Sequence, residues 1–246
     1  MIQVQNVSKS YGPVVALDGV SVRFAASQTT VLIGPSGCGK STLLRTLIGL
    51  VVPDEGTVDV GGARVAANTV RKLRHHTGYV IQDGGLFPHL TARDNASLAA
   101  RHLGWSREQI DRRIGDVCDL VRFPAERLEA FPVELSGGQR QRVGLLRALM
   151  LDPDVLLLDE PMAALDPMIR ADLQDDLREL FRSLEKTVVM VTHDLVEAAH
   201  FADRIVLMKD GRIVQTGSFE DLTQRPADSF VTRFVSAQRR LTETNA

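Results

Sequence analysis

Residues 34–41 read Gly34-Pro35-Ser36-Gly37-Cys38-Gly39-Lys40-Ser41, and no other stretch constrains the chain as tightly. They match the pattern G-x-x-x-x-G-K-[ST], and their surroundings suit it. The apolar run 29–33 precedes them and helix-forming residues 41–50 follow. A run apolar on every position is the mark of a strand covered on both faces. A strand, a glycine-rich loop and a helix in that order turn backbone N–H groups inward around phosphate, and the helix start adds partial positive charge. Gly34 through Thr42 are therefore the expected phosphate-binding segment. Lys40 reaches for the β and γ phosphates, and Ser41 is a ligand for Mg²⁺.

A second piece fits the first. Val155-Leu156-Leu157-Leu158 is a buried strand that ends in Asp159 and Glu160. Asp159 is expected to hold Mg²⁺, directly or through water. Glu160 is the natural general base for an attacking water, although a helix-capping pair before Pro161 is the ordinary alternative. Gln82 and His193 likewise follow apolar strands, 77–81 and 187–192. In open α/β sheets ligands lie beyond the carboxyl ends of strands, which groups Lys40, Gln82, Asp159, Glu160 and His193. Tyr11, one of two tyrosines, sits in an expected turn. Core packing is the usual role of such a residue, and stacking on a base is the functional one.

Around these motifs, residues 2–7 and 19–24 read as short antiparallel strands, and Gly61-Gly62 closes a hairpin. Residues 86–132 change to helical periodicity, with the capping box Ser106-Arg107-Glu108-Gln109 inside. Strands and helices then alternate through residues 136–216, with a helix expected at 167–184 and a packed terminal helix from 225. Alternation of this kind argues for a mostly parallel sheet with helices on its faces, interrupted by a helical insertion.

Composition narrows the partners. The chain carries 29 Lys and Arg against 31 Asp and Glu, and that balance argues against non-specific nucleic-acid binding. The basic run 71–76 reads as a solvated helix face. No apolar run approaches the ~18 residues of a membrane span, and residues 1–4 already read as strand rather than leader. The only two cysteines, Cys38 and Cys118, imply no disulfide framework. Cys38 lies beside a helix start, a setting that favours thiolate and reactivity towards alkylating agents, with a buried, inert cysteine as the other reading.

The stretch Glu134-Leu135-Ser136-Gly137-Gly138-Gln139-Arg140 opens a helix with two glycines, each costing roughly 1 kcal/mol against alanine. Ser136 and Gln139 form a capping box pattern. The first N–H groups of a helix have no partner within it, and two residues without side chains leave them open to an external anion. A second phosphate cradle is implied, with its phosphate unassigned.

Leu135-Ser136-Gly137-Gly138-Gln139, lying between the phosphate loop and Leu156-Leu157-Leu158-Asp159-Glu160-Pro161, resembles the ATP-binding subunit of an ABC transporter. The resemblance covers residues 11 to about 219. It implies a P-loop NTPase with a RecA-like, mostly parallel sheet, an N-terminal antiparallel β subdomain and an inserted helical subdomain. The whole of 1–246 is then one ATPase domain: core 1–85 and 133–224, helical subdomain 86–132, tail 225–246. It further implies that Tyr11 stacks on adenine and that Gln82 senses the γ-phosphate, ligates Mg²⁺ and meets the permease. Ala164-Leu165-Asp166 matches the D-loop and His193 the switch histidine. Ser136, Gly137, Gly138 and Gln139 meet ATP held by a second copy, so that two ATP molecules lie in a head-to-tail dimer.

Gly85-Leu86-Phe87-Pro88-His89-Leu90-Thr91, Trp105-Ser106 and Gln139-Arg140-Gln141-Arg142-Val143-Gly144 are similar to importer subunits for osmoprotectants such as glycine betaine, choline and proline. Ile48-Gly49-Leu50 and Leu146 depart from that subgroup, which leaves polar amino-acid import as the alternative. The implied partners are a second copy, transmembrane permease subunits and, indirectly, a substrate-binding protein. The implied place is the cytoplasmic face of the plasma membrane. The end near Ala246 implies that the regulatory domains of some relatives are lacking. Leu86, Phe87, Pro88 and Leu90 are expected to line the groove for a permease helix, with subdomain core as the other reading. A chromosome-associated ATPase would need a long coiled coil between the halves of the head. A translation-type ATPase would carry two phosphate loops, and a nucleotide kinase has no use for the Ser136 cradle.

Overall fold

The computed structural model describes residues 1–82, 85–163, 165 and 167–244. They form two compact units, Met1–Arg74 with Thr187–Ala246, and His75–Lys186.

The chain opens with β1 (Ile2–Tyr11) and β2 (Val14–Phe24), then β3 (Thr29–Ile33), α1 (Lys40–Leu47), β4 (Glu55–Val60), β5 (Ala63–Arg64) and α2 (Val70–His75). β1 and β2 run several residues beyond the short strands expected. Gly19 at φ 59° and a register shift between Val7 and Lys9 keep the ladder paired across a sequence that reads as broken. Gly61 and Gly62, at φ 58° and 82°, form the two-residue turn between β4 and β5 that needs positive φ at both positions. α1 is shorter than expected and ends before Gly49 at φ 65°, where a Cβ would strike Val70 Cγ2 at 2.5 Å. No residue of the basic α2 is buried, in keeping with a solvated face.

The middle of the chain contributes β6 (Thr77–Val80), α3 (Ala92–His102), α4 (Arg107–Leu120), α5 (Gly137–Leu149), β7 (Val155–Asp159) and α6 (Pro167–Leu184). α4 starts at the expected capping box, with Ser106 Oγ accepting from Gln109 N and Ser106 N donating to Gln109 Oε1. The remainder comprises β8 (Thr187–Val191), α7 (Leu195–Phe201), β9 (Arg204–Lys209), β10 (Arg212–Gly217), α8 (Phe219–Gln224) and α9 (Ser229–Thr244).

In the first unit β2, β1, β4 and β5 make an antiparallel sheet. β3 pairs in parallel with β8 on one side and β9 on the other, and β10 joins β9 antiparallel. Every residue of β3 and β8 is buried, the burial of a strand covered on both faces. In the second unit β6 and β7 are parallel, Tyr79 opposite Leu157 and Val80 opposite Leu158. Its core gathers Leu156, Leu157 and Leu158 of β7 with Leu145, Leu146 and Leu149 of α5, all 0–1% exposed. No described helix is long and apolar enough to cross a membrane.

Candidate functional site

In the first unit β3 leads directly into the phosphate loop, where Gly34, Gly37 and Gly39 have φ of 147°, 77° and 104°. At two of them space alone demands glycine. A Cβ would lie 2.2 Å from Met208 O at Gly34 and 2.3 Å from Ala16 O at Gly39. Both neighbours are backbone atoms and cannot turn away. Gly39 caps α1 with no side-chain hydrogen bond, so the first amides of this helix have no side-chain cap.

Lys40 is 6% exposed, and its Nζ donates to Gly34 O at 2.8 Å and Pro35 O at 3.0 Å. The ammonium is thus folded over the loop that it is expected to serve. Pro35, Ser36 and Gly37 are exposed, while Ser41 and Thr42 are half-buried at the start of α1.

Cys38 corrects the sequence reading. It is 4% exposed, and burial pushes its thiol pKa up from 9.0 despite the nearby Lys40 ammonium and backbone hydrogen bonds that pull it down. Desolvation outweighs the helix start and the lysine, so the thiolate is disfavoured rather than favoured.

Tyr11 is the last residue of β1 rather than part of a turn, and 50% of it is exposed. It is no core residue. Lys9 Nζ sits 5.6 Å from its ring centre and also pairs with Asp54 at 2.7 Å. His193 is exposed beyond β8 in a fixed frame. Thr192 Oγ1 donates to buried Glu197 and accepts from Asp194 N, while Asp194 caps α7 through Val196 N and Glu197 N.

In the second unit Asp159 ends β7 and is 1% exposed. Tyr79 Oη donates to its Oδ2 at 3.2 Å. Glu160 follows at φ 48°, a left-handed backbone that costs a non-glycine residue about 1–2 kcal/mol. Its carbonyl accepts from Ala163 N at 3.3 Å, which makes the turn towards α6. Gln82 is exposed two residues past β6. Asp166 and Ala164 of the expected D-loop lie outside the described residues; Leu165 is buried.

α5 begins as the sequence suggests. Ser136 Oγ accepts from Gln139 N at 3.2 Å, and Ser136 N donates to Gln139 Oε1 at 2.9 Å. Gly137 and Gly138 are its first helical residues. Gly138 is buried, so the accessible part of the cradle is Ser136 and half-buried Gly137. A Cβ on Gly137 would approach Leu165 Cδ2 at 3.1 Å.

Three features escaped the sequence. Tyr79 was legible as a strand residue, but its bond to Asp159 depends on the parallel register of β6 with β7. Asn95 is 0% exposed, accepts from Phe87 N, and donates to Phe87 O, Leu90 O and Thr91 O. It fastens the loop that carries Phe87, which is 42% exposed and so not subdomain core. Arg122 and Arg142 both donate to Asp176 of α6, and Arg122 also reaches Glu179, a network built from side chains remote in sequence. Within the same unit a groove of about 700 Å³ is lined by apolar Trp105, Ile110, Ile114 and Leu128 and by charged Arg93 and Asp111.

The sequence model of the ABC transporter family matches residues 17–163. The choline transport ATP-binding protein OpuBA of Bacillus subtilis is 42% identical over 240 residues, 97% of this chain and 63% of that protein. The osmoprotectant import ATP-binding protein OsmV of Salmonella typhimurium is 40% identical over 98% of this chain and 65% of its own length. The sulfate/thiosulfate import ATP-binding protein CysA of Nocardia farcinica is 43% identical over 98% of this chain and 72% of its own length. The chain therefore spans less than two thirds of OpuBA and OsmV. Among solved structures, the dimeric post-hydrolysis state of the ATP-binding cassette MJ0796 bound to ADP and Pi superposes with a TM-score of 0.80 at 32% identity. It covers 89% of this chain and 99% of that one. The structure of cbiO1 from Clostridium perfringens, part of the complex cbiONQ, gives 0.82 at 26% identity, over 98% of this chain and 94% of its own. A loop in which Gly34 and Gly39 leave no room for a side chain, a serine-capped double-glycine helix and these likenesses lead to one conclusion: the chain belongs to the ABC transporter family.

Proposed function

We propose that this protein binds and hydrolyses ATP to power an importer for an osmoprotectant of the choline and glycine betaine type. One observation carries the substrate class: 42% identity to the choline transport protein OpuBA across 97% of the chain. The phosphate loop, Gly34 to Thr42 with Lys40, takes the phosphates, and Tyr11 offers an exposed aromatic face to adenine. Ser41, Gln82 and Asp159 supply hydroxyl, amide and carboxylate oxygens, a hard donor set that suits Mg²⁺. The metal, when bound, neutralises phosphate charge. Glu160 acts as base towards water, with His193 and Gln82 as γ-phosphate contacts. Ser136, Gly137, Gly138, Gln139 and Asp166 act on ATP held by a second copy.

ATP can close such a dimer only by binding the closed form more tightly, and the exposed Ser136 hydroxyl and the half-buried Gly137 at the start of α5 supply contacts that exist only there. Closure and reopening drive transmembrane permease subunits served by a substrate-binding protein, with this chain on the cytoplasmic face of the membrane. The region around Phe87 receives a permease helix. The similarity to the sulfate importer protein CysA supports a second substrate class, and polar amino-acid import is the remaining one.

The test is reconstitution of the protein with its permease and binding protein in liposomes holding ATP. Uptake of labelled choline, glycine betaine, sulfate and glutamine is then compared. Choline or glycine betaine uptake is expected. Sulfate or glutamine uptake alone would reassign the substrate, and absence of Mg²⁺-dependent ATP hydrolysis would overturn the activity.

A further inference from the structure

Helix α5 makes an unusual set of connections at its far end. Ten residues separate Gly137 from Arg147, a rise of about 15 Å along the axis. There Arg147 Nη1 donates to Gly85 O at 2.8 Å, in the segment that follows Gln82. Gly85 has φ 51°, a left-handed backbone that favours glycine, and a Cβ on it would fall 2.2 Å from Ile81 Cδ1 and 2.7 Å from Ile81 Cγ1.

The neighbouring residue of α5 is seated just as closely. A Cβ at Gly78 of β6 would lie 2.5 Å from Ala148 O, which shows how near the strand that leads to Gln82 approaches the helix. From another direction Arg113 of α4 donates to Leu149 O and Met150 O, the last carbonyls of α5. The C-terminal half of α5 is thus held on β6 and α4, and Arg147 is the side chain that reaches from it to the loop after Gln82.

We propose that Arg147 is a positioning residue: it ties the Gln82 segment to the rod whose other end is the Ser136–Gly138 cradle, so that loop and cradle shift together. A guanidinium suits this task, because it is always charged and makes a strong bond to a neutral carbonyl while keeping donors for other partners. Rigid elements with fixed ties transmit small displacements, whereas a free loop absorbs them. The inference rests on the proposed ATP hydrolysis and dimer closure. Under it, Arg147 touches neither ATP nor water and acts only through Gln82.

The experiment is a double-mutant cycle on the full-length protein with Arg147→Ala, Gln82→Ala and the pair, following kcat, KM and nucleotide affinity of the monomer. Arg147→Ala should lower kcat on the order of 10- to 100-fold, the scale of a misplaced contact, with monomer nucleotide affinity unchanged. The pair should be no worse than Gln82→Ala alone, because both changes remove one function. Arg147→Lys, which keeps a donor, should recover part of the rate. Losses that multiply in the pair, or a wild-type kcat for Arg147→Ala, would overturn the proposal.

Should Arg147→Ala fail to fold, Gly85→Ala perturbs the acceptor end of the same bond, because its methyl meets Ile81 and its left-handed backbone disfavours alanine. Its cycle with Gln82→Ala then decides, non-multiplying losses supporting the tie and multiplying losses rejecting it. A wild-type protein without hydrolysis would instead sink the functional reading itself, a result distinct from either.

Discussion

Tyr79 Oη donates to Asp159 Oδ2 across the parallel pair β6–β7, bonding two side chains 80 residues apart in sequence. The carboxylate it meets is 1% exposed, so this bond partly offsets the cost of burying a charge at the strand's end. Removing the hydroxyl by Tyr79→Phe keeps the ring and deletes the donor. The expected loss is about 1–3 kcal/mol, seen as a fall in Tm of several degrees. If Asp159 holds Mg²⁺, the Mg²⁺ concentration needed for half-maximal hydrolysis should shift as well. Thermal unfolding and a Mg²⁺ titration measure the two effects separately.

Glu160→Gln preserves shape and removes the base. Turnover should stop while ATP-driven dimers still form, since the amide occupies the same left-handed turn at little steric cost. Sedimentation with ATP and a phosphate-release assay read the two properties. Hydrolysis near the wild-type rate would remove Glu160 from the role of base.

Gly138→Asp places a carboxylate in the first turn of α5. Acidic residues suit a helix start, but the position is buried and desolvating the carboxylate costs stability, so thermal unfolding is measured beside dimerisation. Monomer nucleotide affinity should persist and ATP-driven dimerisation should be lost. A variant that dimerises normally with ATP would show that no phosphate comes to this cradle.

The two thiols give a prediction with a definite sign. Burial pushes Cys118 from 9.0 up to about 11, with Asp119 adding to the rise and Arg93 opposing it. A raised folded pKa means that the unfolded chain loses its proton first. Stability from this group is complete below pH 9 and is lost as pH climbs from 9 towards 11. The loss is about 3 kcal/mol at most, at roughly 1.4 kcal/mol per unit. Urea unfolding at pH 8, 9.5 and 10.5 should show the decline, and Cys118→Ala should flatten it. For Cys38, whose pKa is also raised, iodoacetamide at pH 7.5 should react more slowly than with a free thiol and faster as pH rises.

Asn95→Ala should loosen the loop from Phe87 to Thr91, since one amide serves four backbone groups there. Leaving those groups short of partners is expected to cost about 2–3 kcal/mol. Co-purification with the permease should weaken more than Mg²⁺-dependent hydrolysis by the isolated protein. Equal losses in both would mean that the loop serves stability alone.

What the sequence disclosed follows from the range of the forces involved. Local rules placed α6 at residues 167–184 and both capping boxes where they occur, because capping and helical periodicity act within a few residues. The phosphate loop was legible for the same reason. The reactivity of Cys38 was misread because neighbours in sequence argued for thiolate, and only the fold shows how deeply the sulfur is buried. Tyr79, Asn95 and Arg147 act through partners set by strand register and helix packing, which no window of sequence contains. β1 and β2 outran expectation because pairing with each other carried them through Ser10-Tyr11 and Gly19, residues that read as turn or strand end when judged alone.

The pairing of β3 has a consequence for how the protein is made. Both neighbours of this strand come from far downstream, β8 at residues 187–191 and β9 at residues 204–209. A ribosome adding about 5–20 residues per second needs roughly 10–30 seconds to deliver them after β3 has emerged. Residues 75–186, contiguous in sequence, can meanwhile complete their own core. The strand that presents the phosphate loop is therefore among the last to find its place, and nascent chains stalled before residue 187 should hold a folded middle beside an unpaired β3.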